Sequence, residues 1–152
     1  MADDCEATAR VSRLRIAIES MESELRNPNS EIIRVLLVED NPGDARLLQE
    51  RLAQAISAQF KLRHVTRLSE GLKCLAEERF DVVLLDMLLP DSAGLETLAR
   101  TQEQAPGLPV IVLTGTFEDE TLAVKAVKEG AQDYLFKDQV DGGLLVRSIR
   151  YA

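Results

Sequence analysis

The chain has no apolar run long enough to cross a bilayer. Its most hydrophobic stretches, such as Val35 to Val38 and Val82 to Leu85, fall far short of the roughly 20 residues that a spanning helix needs. Positive charge is also in deficit. Lys and Arg total 18 against 26 Asp and Glu, for a net charge of -8, so long-range attraction to nucleic acid or to an anionic membrane is disfavoured, and neither is expected as a direct partner. The opening Met1-Ala2-Asp3-Asp4 lacks the basic-then-apolar pattern of a secretory leader, which makes the cytoplasm the expected compartment. Cysteine is scarce: Cys5 and Cys74 stand far apart without metal-ligand spacing. They read as an exposed thiol and a small half-buried apolar side chain, with no role assigned.

What remains is a chain of 152 residues, 45% hydrophobic and 29% charged, enough for one globular domain and too little for two. Asn27-Pro28-Asn29-Ser30 breaks the chain, because proline disfavours a helical conformation in the residue before it. This divides it into an N-terminal helical extension, residues 1–29, and a domain, residues 30–152.

Within the domain, short aliphatic runs alternate with amphipathic stretches, the pattern of βαβ units around a buried parallel sheet. Strands are expected at Val35 to Val38, Phe60 to Val65, Val82 to Leu85, Val110 to Leu113 and Asp133 to Phe136. The second is the most polar, which suits a place towards the sheet edge. The intervening helices are expected at about Gly43 to Ser57, Leu68 to Glu78, Leu95 to Gln104 and Glu118 to Glu129, with a last one running from about Gly143 to the end of the chain. Five such units make an α/β fold with a five-stranded parallel doubly wound sheet.

In open sheets of this kind, ligands bind beyond the carboxyl ends of the strands. Four of the five strand ends carry polar side chains there: Glu39 and Asp40, Asp86, Thr114 and Lys137. Each alone is better explained as a helix cap or a solvated strand end. Three carboxylates converging on one edge are different, since like charges at close range are costly unless a cation or protons offset them. Magnesium, a hard ion held by one or two carboxylates together with phosphate oxygens, is the natural solution.

Val38-Glu39-Asp40-Asn41, Leu84-Leu85-Asp86-Met87-Leu88-Leu89-Pro90, Leu113-Thr114-Gly115 and Tyr134-Leu135-Phe136-Lys137 resemble the four signatures of receiver domains of two-component response regulators. The resemblance covers residues 33–152, in the family's order and spacing, and implies the flavodoxin-like strand order 2-1-3-4-5. It implies that Asp86 accepts a phosphoryl group from a phosphohistidine of a sensor histidine kinase or phosphotransfer protein. It implies that Mg2+ is held by Glu39, Asp40, Asp86 and the backbone carbonyl of Leu88. Lys137 and Thr114 then contact phosphoryl oxygens, and Thr114 with Tyr134 forms the switch. Tyr134 is equally readable as a half-buried side chain with its hydroxyl in water. On this reading the chain is a signalling phosphoacceptor in a phosphorelay, not an enzyme acting on other substrates.

Two departures and three rivals bear on that reading. Asp138 follows Lys137 where many receivers have a cis proline, and a cis bond without proline costs about 3 kcal/mol, so the loop there is expected to differ. His64, the only histidine, lies in the second strand, too far from the strand-end edge by topology to donate a phosphoryl group. A haloacid-dehalogenase-type phosphatase needs a second acid where Leu88 stands. A dinucleotide-binding domain needs a glycine-rich turn where Glu39-Asp40-Asn41-Pro42 stands. A pseudo-receiver acting only as an interaction module usually lacks the acceptor, acid pair or lysine, all present here.

The last helix, with Leu144, Leu145 and Ile149 on one face, reaches Tyr151-Ala152 without a stop signal, which suggests a piece of a longer protein. In the extension, Val11, Leu14, Ile18, Met21 and Leu25 follow three-four spacing over about two heptads. That fits a coiled-coil seam joining two subunits and, nearly as well, a helix folded back on its own domain. A homodimer through this helix, or through the face of the fourth and fifth helices, is the corresponding expectation.

Overall fold

The computed structural model describes residues 32–55, 59–115 and 120–152; the extension of residues 1–29, with its predicted seam, lies outside the described residues. In chain order the elements are β1 (Ile32–Val38), α1 (Pro42–Ala53), β2 (Gln59–Val65), α2 (Leu68–Glu77), β3 (Val82–Asp86), α3 (Leu95–Gln104), β4 (Val110–Thr114), α4 (Glu120–Lys128), β5 (Asp133–Phe136) and α5 (Gly142–Arg150). A short antiparallel ladder pairs Leu88–Leu89 with Ser92–Ala93 in the loop after β3. The main sheet is wholly parallel in the order β2-β1-β3-β4-β5, the order that the resemblance implies. The polar second strand lies at an edge, as expected.

Side chains alternate across a strand, so each buried strand feeds two cores. Val35, Leu37, Leu84, Ile111 and Leu113 face Leu48 and Leu52 of α1 and Leu145 and Ile149 of α5. Leu36, Val38, Val83, Leu85 and Val112 face Leu68 and Cys74 of α2, Leu98 of α3 and Ala126 of α4. Burial of each such aliphatic side chain contributes about 1.5–3 kcal/mol. Cys74 is fully part of this second core, at 6% exposure, rather than half-buried. On that face α2 lies so close to β1 that a Cβ on Gly71 would stand 3.0 Å from Val38 Cγ2, which only glycine accommodates without a shift.

Element bounds differ from expectation where pattern and topology compete. The apolar spacing predicts α1 as far as Ser57, yet it ends at Ala53, because the chain must return along the sheet to begin β2 at Gln59. β1 starts three residues early, at Ile32, where it is partly exposed and pairs only with β2. The last helix ends at Arg150, with the Tyr151 N–H donating to the Arg147 carbonyl and the Ala152 N–H to the Ile149 carbonyl. Among the described residues, no helix is long and apolar enough to cross a membrane.

Candidate functional site

β1 and β3 are adjacent, so their carboxyl ends bring Glu39, Asp40 and Asp86 together. Their carboxylate oxygens lie within 4.8 Å of one another. Glu39 is fully buried, Asp86 is 6% exposed and Asp40 is open to solvent. Local bonds fix this geometry: the Glu39 N–H donates to the Val65 carbonyl at 3.0 Å, and the Asn41 N–H donates to Glu39 Oε1 at 3.1 Å. Asn41 in turn caps α1, its Oδ1 accepting from the Gly43 and Asp44 N–H groups, and Pro42 supplies the helical φ at the first position.

Lys137 enters from the end of β5, anchored by its N–H to the Thr114 carbonyl at 2.9 Å. Its Nζ stands 2.6 Å from Glu39 Oε2, 2.9 Å from Asp86 Oδ2 and 3.3 Å from Asp44 Oδ2. One ammonium therefore serves three carboxylates. The Glu39 contact is a charge contact without the direction of a good hydrogen bond. Burial raises the Glu39 carboxyl from its ordinary value to about 7, with the Lys137 ammonium beside it opposing and the charge of Asp86 assisting. Burial works against the charge on Lys137 too, but the carboxylates of Glu39 and Asp86 beside it outweigh that and raise its pKa.

The other Asp86 oxygen, Oδ1, accepts from the Leu88 N–H at 3.0 Å, while the Leu88 side chain is 72% exposed at the mouth of the cleft. Thr114 is buried, and among the described residues its Oγ1 has no hydrogen-bond partner. A buried hydroxyl left unpaired is costly, and this one lines the same cleft as Glu39, Asp86 and Lys137. Tyr134 does not line the cleft. It is half-buried against the second core and packs edge-on to Phe136, with ring centroids 5.7 Å apart.

The three carboxylates fit a hard cation. Oxygens bound to magnesium at about 2.1 Å are at most about 4.2 Å apart, and the observed separations, all within 4.8 Å, need at most a small contraction to meet that. The surplus of carboxylates over ammonium, the elevated Glu39 pKa and the unpaired Thr114 hydroxyl all fit a site that takes a cation together with an oxygen-rich anion.

Three contacts across the fold, two of them at the cleft, escape the sequence pattern. Asp44, in the first turn of α1, contacts Lys137; the only signal for it is an acid three residues after the cap. His64 is nearer than its topology suggests, with Nε2 donating to the Glu39 carbonyl at 2.8 Å, because the register sets Leu37 beside His64. Asp91, in the loop after β3, accepts from the Leu68 and Ser69 N–H groups of α2. The peptide after Lys137 is trans, since there is no cis bond among the described residues.

Residues 35–150 match the family model of the response regulator receiver domain. Methanogenesis regulatory protein FilR1 of Methanothrix harundinacea is 33% identical over 132 residues, covering 85% of this chain and 29% of that protein. Response regulator protein PilR of Pseudomonas aeruginosa is 36% identical over 112 residues, covering 74% of this chain and 24% of its own. The chain thus spans under a third of either relative. The N-terminal signal receiver domain of a two-component system response regulator from Bacteroides fragilis superposes with a TM-score of 0.70 at 30% identity, covering 80% of this chain and 96% of that one.

Proposed function

Because the chain belongs to the response regulator receiver domain family, we propose that it accepts a phosphoryl group on Asp86 and uses the resulting change to switch a signalling output. The observation that carries this reading is the placement of Asp86, whose Oδ2 meets Lys137 and whose Oδ1 meets the Leu88 N–H, in a cleft shared with the unpartnered Thr114 hydroxyl.

In the proposed step a carboxylate oxygen of Asp86 forms a bond to phosphorus as the bond from phosphorus to the donor imidazole nitrogen breaks, and the imidazole takes the electron pair. Lys137 Nζ already lies beside Asp86 and balances charge on a phosphoryl oxygen. Thr114 Oγ1 donates to another, which gives the buried hydroxyl its partner. Glu39, Asp40 and Asp86, with the Leu88 carbonyl, would hold magnesium, which when bound would supply positive charge to the phosphoryl oxygens. Tyr134 then responds to the movement of Thr114. This is self-modification by one carboxylate and not turnover of a separate substrate.

The partner that fits is a cytoplasmic histidine kinase or phosphotransfer protein, with residues 30–152 as the receiver and residues 1–29 as an added arm. The test is intact-mass labelling with acetyl phosphate, with magnesium and with chelator. One phosphoryl per chain should appear only with the metal and vanish in Asp86→Asn. Full labelling of that variant would sink the assignment, and no labelling of the parent chain would favour an interaction module instead.

A further inference from the structure

The cleft contains a carboxylate that the phosphoacceptor reading does not use. Asp44 is not among the three acids whose oxygens cluster for a cation, yet its Oδ2 lies 3.3 Å from Lys137 Nζ. It differs from the other two partners of that lysine in exposure. The side chains of Glu39 and Asp86 are 0% and 8% exposed, whereas Asp44 is 37% exposed, so it is the solvent-facing member of the trio. A first-turn acid also suits the helix dipole, but that role requires no contact across 93 residues of sequence.

We propose that Asp44 is a charge-specificity residue of this site. Its fixed carboxylate, beside the Lys137 ammonium, disfavours small and highly anionic phosphodonors relative to less charged ones. The inference rests on the phosphoacceptor reading of Asp86. A carboxylate lining a partly solvated cleft raises the energy of an approaching anion in proportion to the anion's charge. It also holds part of the Lys137 ammonium that would otherwise face the donor. A phosphoryl group delivered on a neutral protein imidazole is penalised less than a free dianion.

The test compares two small donors on the intact chain at neutral pH with saturating magnesium. Acetyl phosphate is mainly a dianion and loses acetate as Asp86 bonds to phosphorus; phosphoramidate is mainly a monoanion and loses ammonia. Asp44→Asn should raise the ratio of their labelling rates, acetyl phosphate over phosphoramidate, by about three- to eightfold, the size expected for one extra donor charge against one partly solvated carboxylate. Asp44→Glu should keep the ratio of the parent chain. The difference between Asp44→Asn and the parent should collapse near ~1 M salt, where the screening length is about 3 Å.

A general loss of lysine positioning slows both donors alike and leaves the ratio unmoved, which overturns the proposal while the labelling itself upholds the reading of Asp86. A ratio that rises equally in Asp44→Glu also overturns it. Failure of either donor to label Asp86 in the parent chain removes the underlying reading and this inference together.

Discussion

Replacing Asp91 should loosen α2 from a distance, and the cost can be worked from two hydrogen bonds. The N-cap residue of α2 is Arg67, which makes no side-chain cap bond. Its place is taken by Asp91, whose two carboxylate oxygens accept from the Leu68 and Ser69 N–H groups at 2.9 Å each. Loss of such a cap costs about 1 kcal/mol, within roughly 0.5–2, and loss of the anion at the helix N-terminus adds about 0.3–1 at this exposed position. Asp91→Ala should therefore lower stability by about 1–2 kcal/mol at neutral pH, or roughly 3–6 °C in Tm for a domain of this size. Asp91→Asn, which keeps one acceptor oxygen and no charge, should fall between. Desolvation pushes the Asp91 carboxyl up, but the N–H groups of Ser69 and Leu68 outweigh it and hold it below its ordinary value of 3.8. A depressed folded pKa contributes stability that is present above the unfolded value and is lost as pH falls through the folded one. The gap between parent and Asp91→Ala should be full at neutral pH and close as pH falls below about 4. Urea unfolding across that range measures it, and amide exchange at Leu68 and Ser69 should quicken. Equal midpoints at neutral pH, or a gap that widens in acid, would refute the capping argument.

Lys137→Met should leave Glu39 and Asp86 without their counter-charge. A loss of about 1–3 kcal/mol by urea unfolding is expected, below the full cost of breaking a buried pair because the cleft opens to water, together with a large fall in acetyl phosphate labelling. Thr114→Val removes a buried hydroxyl that has no partner, so it should leave stability unchanged or raise it by up to ~1 kcal/mol while slowing phosphorylation. A marked destabilisation would show that the hydroxyl is bonded after all.

The elements whose boundaries depend on local pattern alone were legible in the sequence. α3 and β5 begin and end where the apolar spacing and the flanking turns set them. The four strand-end motifs also land on one cleft, since strand order and parallel direction carry them there together. What was not legible depends on register and on contacts across the fold. The early start of β1 is paid for by pairing with β2, and partly exposed Ile32 and Ile33 carry no buried-strand signal. His64 reaches the Glu39 carbonyl only because β1 and β2 align Leu37 with it. Asp44 and Asp91 act on groups far away in sequence, and each looks locally like an ordinary helix-start or turn acid.

The cleft contains the two polar irregularities of the described core, and they have a common resolution. Glu39 is a wholly buried carboxyl whose pKa burial raises, and Thr114 is a buried hydroxyl without a partner among the described residues. Selection for stability alone favours apolar replacements at such positions, since a buried charge set is seldom better than well-packed hydrophobes. Both residues stand instead at the carboxyl edge of the same sheet, at the ends of β1 and β4 with β3 between them, and Lys137 donates its backbone N–H to the Thr114 carbonyl while its ammonium pairs with Glu39. A cation would offset the repulsion between Glu39 and Asp86, and an oxygen-rich anion would supply an acceptor for the Thr114 hydroxyl. Neither ligand resolves both defects alone: a cation offers the hydroxyl no acceptor, and an anion alone worsens the crowding of carboxylates. The arrangement therefore favours joint occupation by a cation and an oxygen-rich anion, which under the proposed function would couple metal binding to phosphorylation at one edge of the sheet.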